Sequence, residues 1–124
     1  MTARLTTRQV GDVSIVDVAG RVTVGGGSNA LRETLCELTS RGKKMILVNL
    51  CEISYIDSSG IGELVSAFKE VTRTGGQLKL LGLSGQGVYQ LLVTKTHTIF
   101  EMYVDEATAI RSFGYKAGTT RLTF

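Results

Sequence analysis

The stretch of sequence that decides the fold is residues 45–62, MILVNLCEISYIDSSGIG. It begins with a near-continuous apolar run over 45–50, which is typical of a strand covered on both faces of a sheet. It ends in Asp57-Ser58-Ser59-Gly60, and such small polar residues start helices because their oxygens accept hydrogen bonds from the free N–H groups of the first turn. Apolar residues then recur at helical spacing, at Ile61, Leu64, Val65, Phe68 and Val71. The stretch therefore predicts a buried strand followed by an amphipathic helix, which ends at Gly75-Gly76.

The sequence before this stretch predicts a β-hairpin, a loop and a helix. Apolar and β-branched residues over about 3–19 are interrupted by Gly11-Asp12, a pair that suits a tight turn between antiparallel strands. Residues 20–27 are rich in glycine and predict a loop. We expect Ser28 or Asn29 to cap the first helix.

The sequence after the stretch predicts further alternation of strand and helix. The pattern indicates, in order, a strand over 78–81, a helix over 84–93, a short strand over 99–103 and a helix capped by Asp105. In the helix over 84–93, the residues expected on the buried side are Val88, Leu91 and Leu92. We therefore predict an α/β fold: a mixed β-sheet of about 4–5 strands with about 4 helices, in which an opening β-hairpin is followed by βα units with right-handed crossovers.

Length and composition exclude several classes of protein. The chain has 124 residues, 43% of them hydrophobic, and a net charge of +3. This length suits one domain, which we place at residues 1–114 with a C-terminal tail at 115–124, and it excludes a two-domain enzyme. So small a charge does not indicate the basic surface of a nucleic-acid-binding protein. The apolar runs are strand-sized, no signal peptide is recognisable and the two cysteines form no CxxC motif, so we expect a cytoplasmic protein without a membrane span.

Residues that could carry catalysis are scarce. His97 is the only histidine and lies in a polar connection, so we expect neither a metal site nor a Ser-His-Asp triad. Residues 82–86 fail the last position of the G-x-S-x-G motif. Residues 25–30 match G-x-G-x-x-A, but no Lys-Ser/Thr pair follows as a P-loop requires. We expect no cofactor and no enzymatic activity, and a small nucleotide-binding enzyme that uses 25–28 or 82–87 is kept as an alternative.

One stretch, Asp57-Ser58-Ser59-Gly60-Ile61-Gly62, combines several features of a functional site. It lies at the start of the best-defined helix, where the aligned peptide dipoles place about half a positive charge. Gly60 and Gly62 each cost a helix about 1 kcal/mol relative to alanine. That cost is explained if a partner's backbone or a phosphate donor must approach closely. The plain alternative is a helix cap made by Asp57 or Ser58.

Residues 53–62, ISYIDSSGIG, preceded by LVNL and followed by GGQLKL at 75–80, resemble the STAS domain of bacterial anti-sigma-factor antagonists. The resemblance extends from the opening hairpin to the last helix and leaves out only the tail. In that family, the serine directly after the aspartate is phosphorylated by a partner that is both an anti-sigma factor and a serine kinase. The resemblance therefore implies that Ser58 is the phosphorylation site.

The resemblance also implies a mechanism of partner switching. The unmodified protein binds the anti-sigma factor with serine kinase activity and so frees the sigma factor for transcription. Phosphorylation ends that binding, and a serine phosphatase restores it. The remaining site residues expected from the resemblance are Asp57, Ser59, Gly60, Ile61, Gly62 and Thr23.

Each of these residues has an expected role. Asp57 orients the acceptor hydroxyl and helps to shape the site, Gly60 keeps the surface open, and Ile61 supplies apolar contact or anchors the core. Thr23 stands where family members commonly carry an aspartate, in the loop after the hairpin, which leaves the identity of the partner open. The nearest alternative function keeps the fold without phosphorylation: an adaptor subunit of a transport or signalling complex. The oligomeric state is also left open.

Overall fold

A computed structural model describes residues 3–113, which form a five-stranded sheet in the order β1-β2-β3-β4-β5 with four helices. The pair β1/β2 is antiparallel and the other pairs are parallel. The predicted α/β fold with a mixed sheet and an opening hairpin is confirmed. The elements are β1 Arg4–Val10, β2 Val13–Val22, α1 Gly27–Ser40, β3 Met45–Ile56, α2 Ser58–Arg73, β4 Gln77–Leu81, α3 Gln86–Val93, β5 Met102–Tyr103 and α4 Glu106–Phe113.

Apolar side chains fill both faces of the central strands. Helices α1, α2 and α3 pack on one face, against β-strand residues such as Val16, Val48 and Leu80. Helix α4 packs on the other face, where Phe113 and Ala109 meet Leu47. The near-continuous apolar run of β3 is therefore explained, because successive side chains of a strand point to opposite faces and here both faces are covered.

Strands β2 and β3 are both longer than the sequence indicates. Strand β2 continues to Val22, three residues past its predicted end, because its parallel pairing with β3 resumes after two register shifts. Strand β3 likewise runs without a break to Ile56 and includes residues 51–55, of which Cys51, Glu52 and Ser54 are exposed. On its other side, pairing with β4 stops at Asn49. The second half of β3 thus has a strand neighbour on one side only, which explains its exposed polar residues.

Two details of the predicted helices are wrong. Helix α1 begins at Gly27 with Gly26 in the capping position, and neither Ser28 nor Asn29 caps it. The chain passes so close to β2 here that a Cβ atom on Gly27 would lie 2.4 Å from the carbonyl oxygen of Arg21, and Ser28 is buried. In α3, Leu91 is fully buried as expected but Leu92 is 51% exposed, since α3 has only eight residues and one narrow contact face.

Two further expectations concern the ends of the chain and the membrane. The predicted tail at 115–124 lies outside the described residues. Over residues 3–113, no helix is both long and apolar enough to cross a membrane.

An ion-pair cluster fastens α4 to the opening hairpin. The guanidinium of Arg8 on β1 donates to the Asp17 carboxylate at 2.6 Å and to the Glu106 carboxylate at 2.7 Å. The side-chain amide of Asn49 also donates to Asp17, at 2.7 Å. The Arg8 hydrogen bonds are the largest influence on both acids and hold the pKa of Asp17 and of Glu106 below their ordinary values. The cluster therefore joins the first strand to the last described helix.

We predict that acid weakens this attachment of α4. A carboxylate whose pKa is depressed by folding stabilises the protein above its unfolded pKa, and this contribution is lost as the pH falls through the folded value. The free energy of unfolding, measured by urea denaturation between pH 7 and pH 2, should fall once the pH drops below the ordinary pKa values of Asp17 and Glu106, 3.8 and 4.5. Arg8→Gln should lower the free energy of unfolding near neutral pH. It should also make that free energy depend less on pH in the acidic range.

The control for this experiment is Arg41→Gln. Arg41, the residue that follows α1, has its guanidinium 3.8 Å from the carboxylate of Glu37 in the last turn of that helix, and ion pairs as exposed as this one contribute little. If Arg8→Gln and Arg41→Gln changed the pH dependence of the free energy of unfolding equally, a special role for the Arg8 cluster would be contradicted.

Candidate functional site

The candidate site lies where β3 ends and α2 begins. Ile56 is the last residue of β3 and is completely buried, Asp57 is the N-cap of α2, and Ser58 is its first helical residue. The end of β2 and the loop that follows it lie beside this junction. The backbone N–H of Asp57 donates to the carbonyl oxygen of Val22, the last residue of β2, at 3.1 Å, and the backbone N–H of Val24 in the loop donates to the Asp57 carboxylate. The strand-to-helix junction predicted from the sequence is thus held against a second loop.

The carboxylate of Asp57 is the centre of the local hydrogen bonds. Its Oδ1 accepts from the backbone N–H groups of Ser59 at 2.9 Å and Gly60 at 3.1 Å, and from the Ser59 hydroxyl at 2.5 Å. Its Oδ2 accepts from the backbone N–H of Val24 at 3.1 Å. Asp57 is therefore both an N-cap and a link between the β2–α1 loop and α2.

These hydrogen bonds also fix the charge of Asp57. Partial burial is the largest single influence and raises the pKa of Asp57, because it disfavours the charged form. Together, the Ser59 hydroxyl and the N–H groups of Val24, Gly60 and Ser59 outweigh it and hold the pKa below its ordinary value. Asp57 is consequently an anion near neutral pH, directly beside Ser58.

The two serines of the motif have different environments. Ser58 is exposed, and among the hydrogen bonds of residues 3–113 none involves its hydroxyl. Ser59 is half-buried, and its hydroxyl is engaged by Asp57. Asp57 was expected to orient the Ser58 hydroxyl, but within residues 3–113 the structure shows no hydrogen bond between them. The Asp57 carboxylate instead accepts from the Ser59 hydroxyl and from backbone N–H groups. An incoming reagent reaches the Ser58 oxygen without breaking an existing hydrogen bond.

The two glycines of the motif also differ. Gly60 is buried, and a Cβ atom there would lie 2.7 Å from Cγ1 of Ile56 and 2.8 Å from Cγ1 of Val22. The expectation that Gly60 keeps the surface open is thus wrong, because its missing side chain lets α2 pack closely on the sheet. Gly62 is exposed, and a Cβ atom there would meet nothing within 4 Å. Of the two expected roles of Ile61, the structure supports core anchoring, since Ile61 is only 1% exposed.

Thr23 lies close to the site but contributes its backbone. It follows the last residue of β2, and its carbonyl oxygen accepts from the N–H groups of Gly26 and Ser28, both at 3.2 Å. The next residue, Val24, is 76% exposed and donates its N–H to Asp57. The loop is therefore folded back on itself and fastened to α2 through Val24.

This folding of the loop weakens the nucleotide-binding alternative. A phosphate cradle needs free backbone N–H groups that point towards the ligand. The N–H groups of Gly26 and Ser28 are already bonded to Thr23, and those of Gly82 and Gly87 are bonded to Tyr103 and Ser84. Within residues 3–113, no three His, Cys, Asp or Glu side chains are grouped so that they could hold a metal ion.

One residue of the site is not indicated by the sequence motif. The side-chain amide of Gln86, the first residue of α3, forms two hydrogen bonds with the backbone of Ile56: Nε2 donates to the carbonyl oxygen at 2.8 Å, and Oε1 accepts from the N–H at 3.0 Å. Gln86 therefore fastens the end of β3 to α3. No local signal marks it, because a glutamine at a helix start looks like any polar surface residue.

The mixed five-stranded sheet with its opening hairpin and four helices is the fold that the resemblance to STAS domains predicts. The STAS domain family matches residues 4–109, which is most of the chain, so the chain belongs to the STAS domain family.

Individual relatives are anti-sigma-factor antagonists. The chain is 41% identical over 69 residues to the anti-sigma-B factor antagonist of Bacillus subtilis (strain 168), a match that covers 56% of this chain and 62% of that relative's length. A crystal structure of an anti-sigma factor antagonist from Mycobacterium paratuberculosis superposes with a TM-score of 0.81 at 13% identity, covering 91% of this chain and 95% of that one.

A further structural relative is the Bacillus antagonist SpoIIAA, which has been solved in two forms. The unphosphorylated form superposes with a TM-score of 0.68 and the phosphorylated form with 0.71, each at 19% identity. Both matches cover 88% of this chain, together with 96% of the unphosphorylated chain and 98% of the phosphorylated one. At such identities, these likenesses establish the fold alone.

We predict opposite effects on stability for alanine at the two glycines of α2. Gly62→Ala should raise the free energy of unfolding by up to about 1 kcal/mol, because alanine is the better helix former and the position is open. Gly60→Ala should lower it by about 1–3 kcal/mol, because the new methyl group overlaps Ile56 and Val22. Urea denaturation of both variants tests this. The same sign of effect in both would contradict the assignment of Gly60 to the packed face and Gly62 to the open face.

Proposed function

We propose that this protein is an anti-sigma-factor antagonist whose binding to its partner is controlled by phosphorylation of Ser58. The observation that carries the proposal is the environment of Ser58: an exposed hydroxyl without a hydrogen-bond partner among residues 3–113, at the first position of α2, beside the anionic Asp57. The antagonist relatives supply the class of partner, an anti-sigma factor. The proposed partner is also the serine kinase, and a serine phosphatase reverses the reaction. We place this protein and both of these partners in the cytoplasm.

The local charges explain why one phosphoryl group is sufficient to change the binding partner. A phosphoserine carries about −1.5 to −2 charges at neutral pH. Helix N-termini normally stabilise such an anion through their free N–H groups. Here, the N–H groups of Ser59 and Gly60 are already taken by Asp57, which is itself negative. The phosphate on Ser58 therefore depends on water for its solvation and is repelled by its neighbour.

A closed protein interface over Ser58 removes that water. Burying a charge without a partner costs several kcal/mol, and each 1.4 kcal/mol reduces affinity tenfold. An unmodified serine carries no such cost. The phosphorylated protein is therefore released from a partner that covers the start of α2.

The fold itself supports switching without refolding. The solved SpoIIAA structures give TM-scores of 0.68 without phosphate and 0.71 with it, so a phosphorylated chain of this fold keeps the architecture. The buried side of α2 is fixed by Gly60, Ile61 and Leu64, which lie away from the exposed Ser58. We accordingly place the change in affinity at the surface.

We predict one phosphorylation, on Ser58. Incubation with the cognate serine kinase and Mg-ATP should add the mass of one phosphoryl group to the wild-type protein and to Ser59→Ala, but not to Ser58→Ala. Ser59→Ala removes only one hydrogen bond to Asp57 and should lose about 0.5–1.5 kcal/mol of stability. Intact-mass spectrometry reads the result. Modification of Ser58→Ala but not of Ser59→Ala would move the site by one residue, and no modification of the wild type would favour the adaptor function.

We also predict that a permanent charge at position 58 prevents binding to the partner. Ser58→Asp should fold normally, since an acidic residue at a helix start is favourable or neutral, yet it should bind the anti-sigma factor at least about tenfold more weakly. Ser58→Asn is the matched control, because it adds similar volume without charge and should keep most of the affinity. Calorimetric titration of both variants measures the difference. Equal affinities would contradict a switch based on charge.

A further inference from the structure

The end of β3 that carries the site has no strand beside it on the β4 side. Pairing between β3 and β4 stops at Asn49 and Leu81, seven residues before β3 ends at Ile56. Because Ile56 is completely buried, leaving its N–H and C=O groups without a hydrogen-bond partner on this side would be unfavourable, since water cannot replace the missing strand. The side chain of Gln86 bonds to both groups, at 3.0 and 2.8 Å, and so replaces the missing strand at this one residue.

The backbone before Ser58 is consequently held from two sides. On the β2 side, Ile56 pairs with Val22, and the Asp57 N–H donates to the Val22 carbonyl oxygen at 3.1 Å. On the α3 side, the hydrogen bonds to the Ile56 backbone within residues 3–113 come from the Gln86 side chain. Ser58 follows two residues later, so the direction in which it leaves the strand depends on both attachments.

We propose that Gln86 is a positioning residue for phosphorylation, which holds the β3–α2 junction so that the Ser58 hydroxyl is aligned with the phosphoryl group that a kinase presents. This inference rests on the proposed function. In the reaction, the Ser58 oxygen forms a bond to the γ-phosphorus of ATP, the bond to the β,γ-bridging oxygen breaks to release ADP, and the hydroxyl proton passes to a base of the kinase.

Phosphoryl transfer depends strongly on alignment, because the attacking and leaving oxygens must be roughly in line with phosphorus. A displacement of about 1 Å can cost on the order of 100-fold in rate. Gln86 acts through Ile56 and does not touch the reacting atoms, so loss of its amide should slow the chemical step more than it weakens the encounter with the kinase.

The test compares three proteins as substrates of the cognate serine kinase with Mg-ATP: wild type, Gln86→Met and Gln90→Met. Methionine keeps the length of glutamine and removes both hydrogen bonds to Ile56. Gln90 lies one turn further along α3, is half-buried like Gln86 and makes no side-chain hydrogen bond within residues 3–113, so it controls for the chemical change itself. We expect kcat for Gln86→Met to fall by about tenfold or more with KM changed by less than about threefold, and wild-type values for Gln90→Met.

A second measurement needs no partner. Amide hydrogen exchange followed by NMR should show faster exchange at the Ile56 N–H in Gln86→Met than in Gln90→Met, because that N–H loses its acceptor. Equal exchange in the two variants would overturn the positioning role.

The possible outcomes separate this inference from the proposed function. If the wild type gains no phosphate, the proposed function is wrong and this inference with it. If the wild type is phosphorylated and Gln86→Met either keeps its kcat or is impaired through KM alone, only the inference is overturned, and in the second case Gln86 contacts the kinase directly.

Discussion

The site depends on one carboxylate, that of Asp57. It accepts four hydrogen bonds, three from the first turn of α2 and one from Val24. An N-cap of this kind contributes about 0.5–2 kcal/mol to stability, but its consequence for function is larger. Because Asp57 occupies the donors that a helix start would otherwise offer to an anion, a phosphate on Ser58 has to remain in solvent. In the proposed function, the same bonds that start the helix thus prepare Ser58 to act as a switch.

The unequal lengths of the parallel strands place this junction at an open end of the sheet. Strand β3 has twelve residues and β4 only five, so the last part of β3 extends beyond its neighbour. In open sheets with parallel strands, ligands bind beyond the carboxyl ends of the strands, where the following loops meet. Here, the β2–α1 loop and the start of α3 meet the end of β3 through Val24 and Gln86. Three elements therefore meet at this end of the sheet, and in the proposed function they form the surface that the protein partner covers.

Local sequence predicts those parts of the molecule that depend on residues close together in the chain. The order of strands and helices, the N-terminal position of Ser58 on α2 and the burial of Ile61 all follow from apolar spacing and capping chemistry, which act within one or two turns. The role expected of Gly60 is wrong because a glycine in a sequence does not reveal which neighbours approach it. Here the neighbours are Ile56, at the end of β3, and Val22, far away in the chain. Ser28 fails as a cap for a related reason, since it is buried where α1 crosses β2.

Gln86 could not be recognised from the sequence, because its role exists only where two strands of different length lie side by side. Its amide compensates for a strand residue that β4 does not supply, thirty residues away from Ile56 in the chain. The difference between Ser58 and Ser59 has the same origin. From the local sequence alone, Ser58 and Ser59 are equivalent, since both are small polar residues at the start of a helix. In the structure, the Asp57 carboxylate is held in place by Val24 from another loop. It accepts a hydrogen bond from the Ser59 hydroxyl and leaves that of Ser58 exposed. Long-range contacts therefore decide which of the two adjacent hydroxyls stays free of hydrogen bonds within residues 3–113, and in the proposed function this free hydroxyl is the one that the kinase modifies.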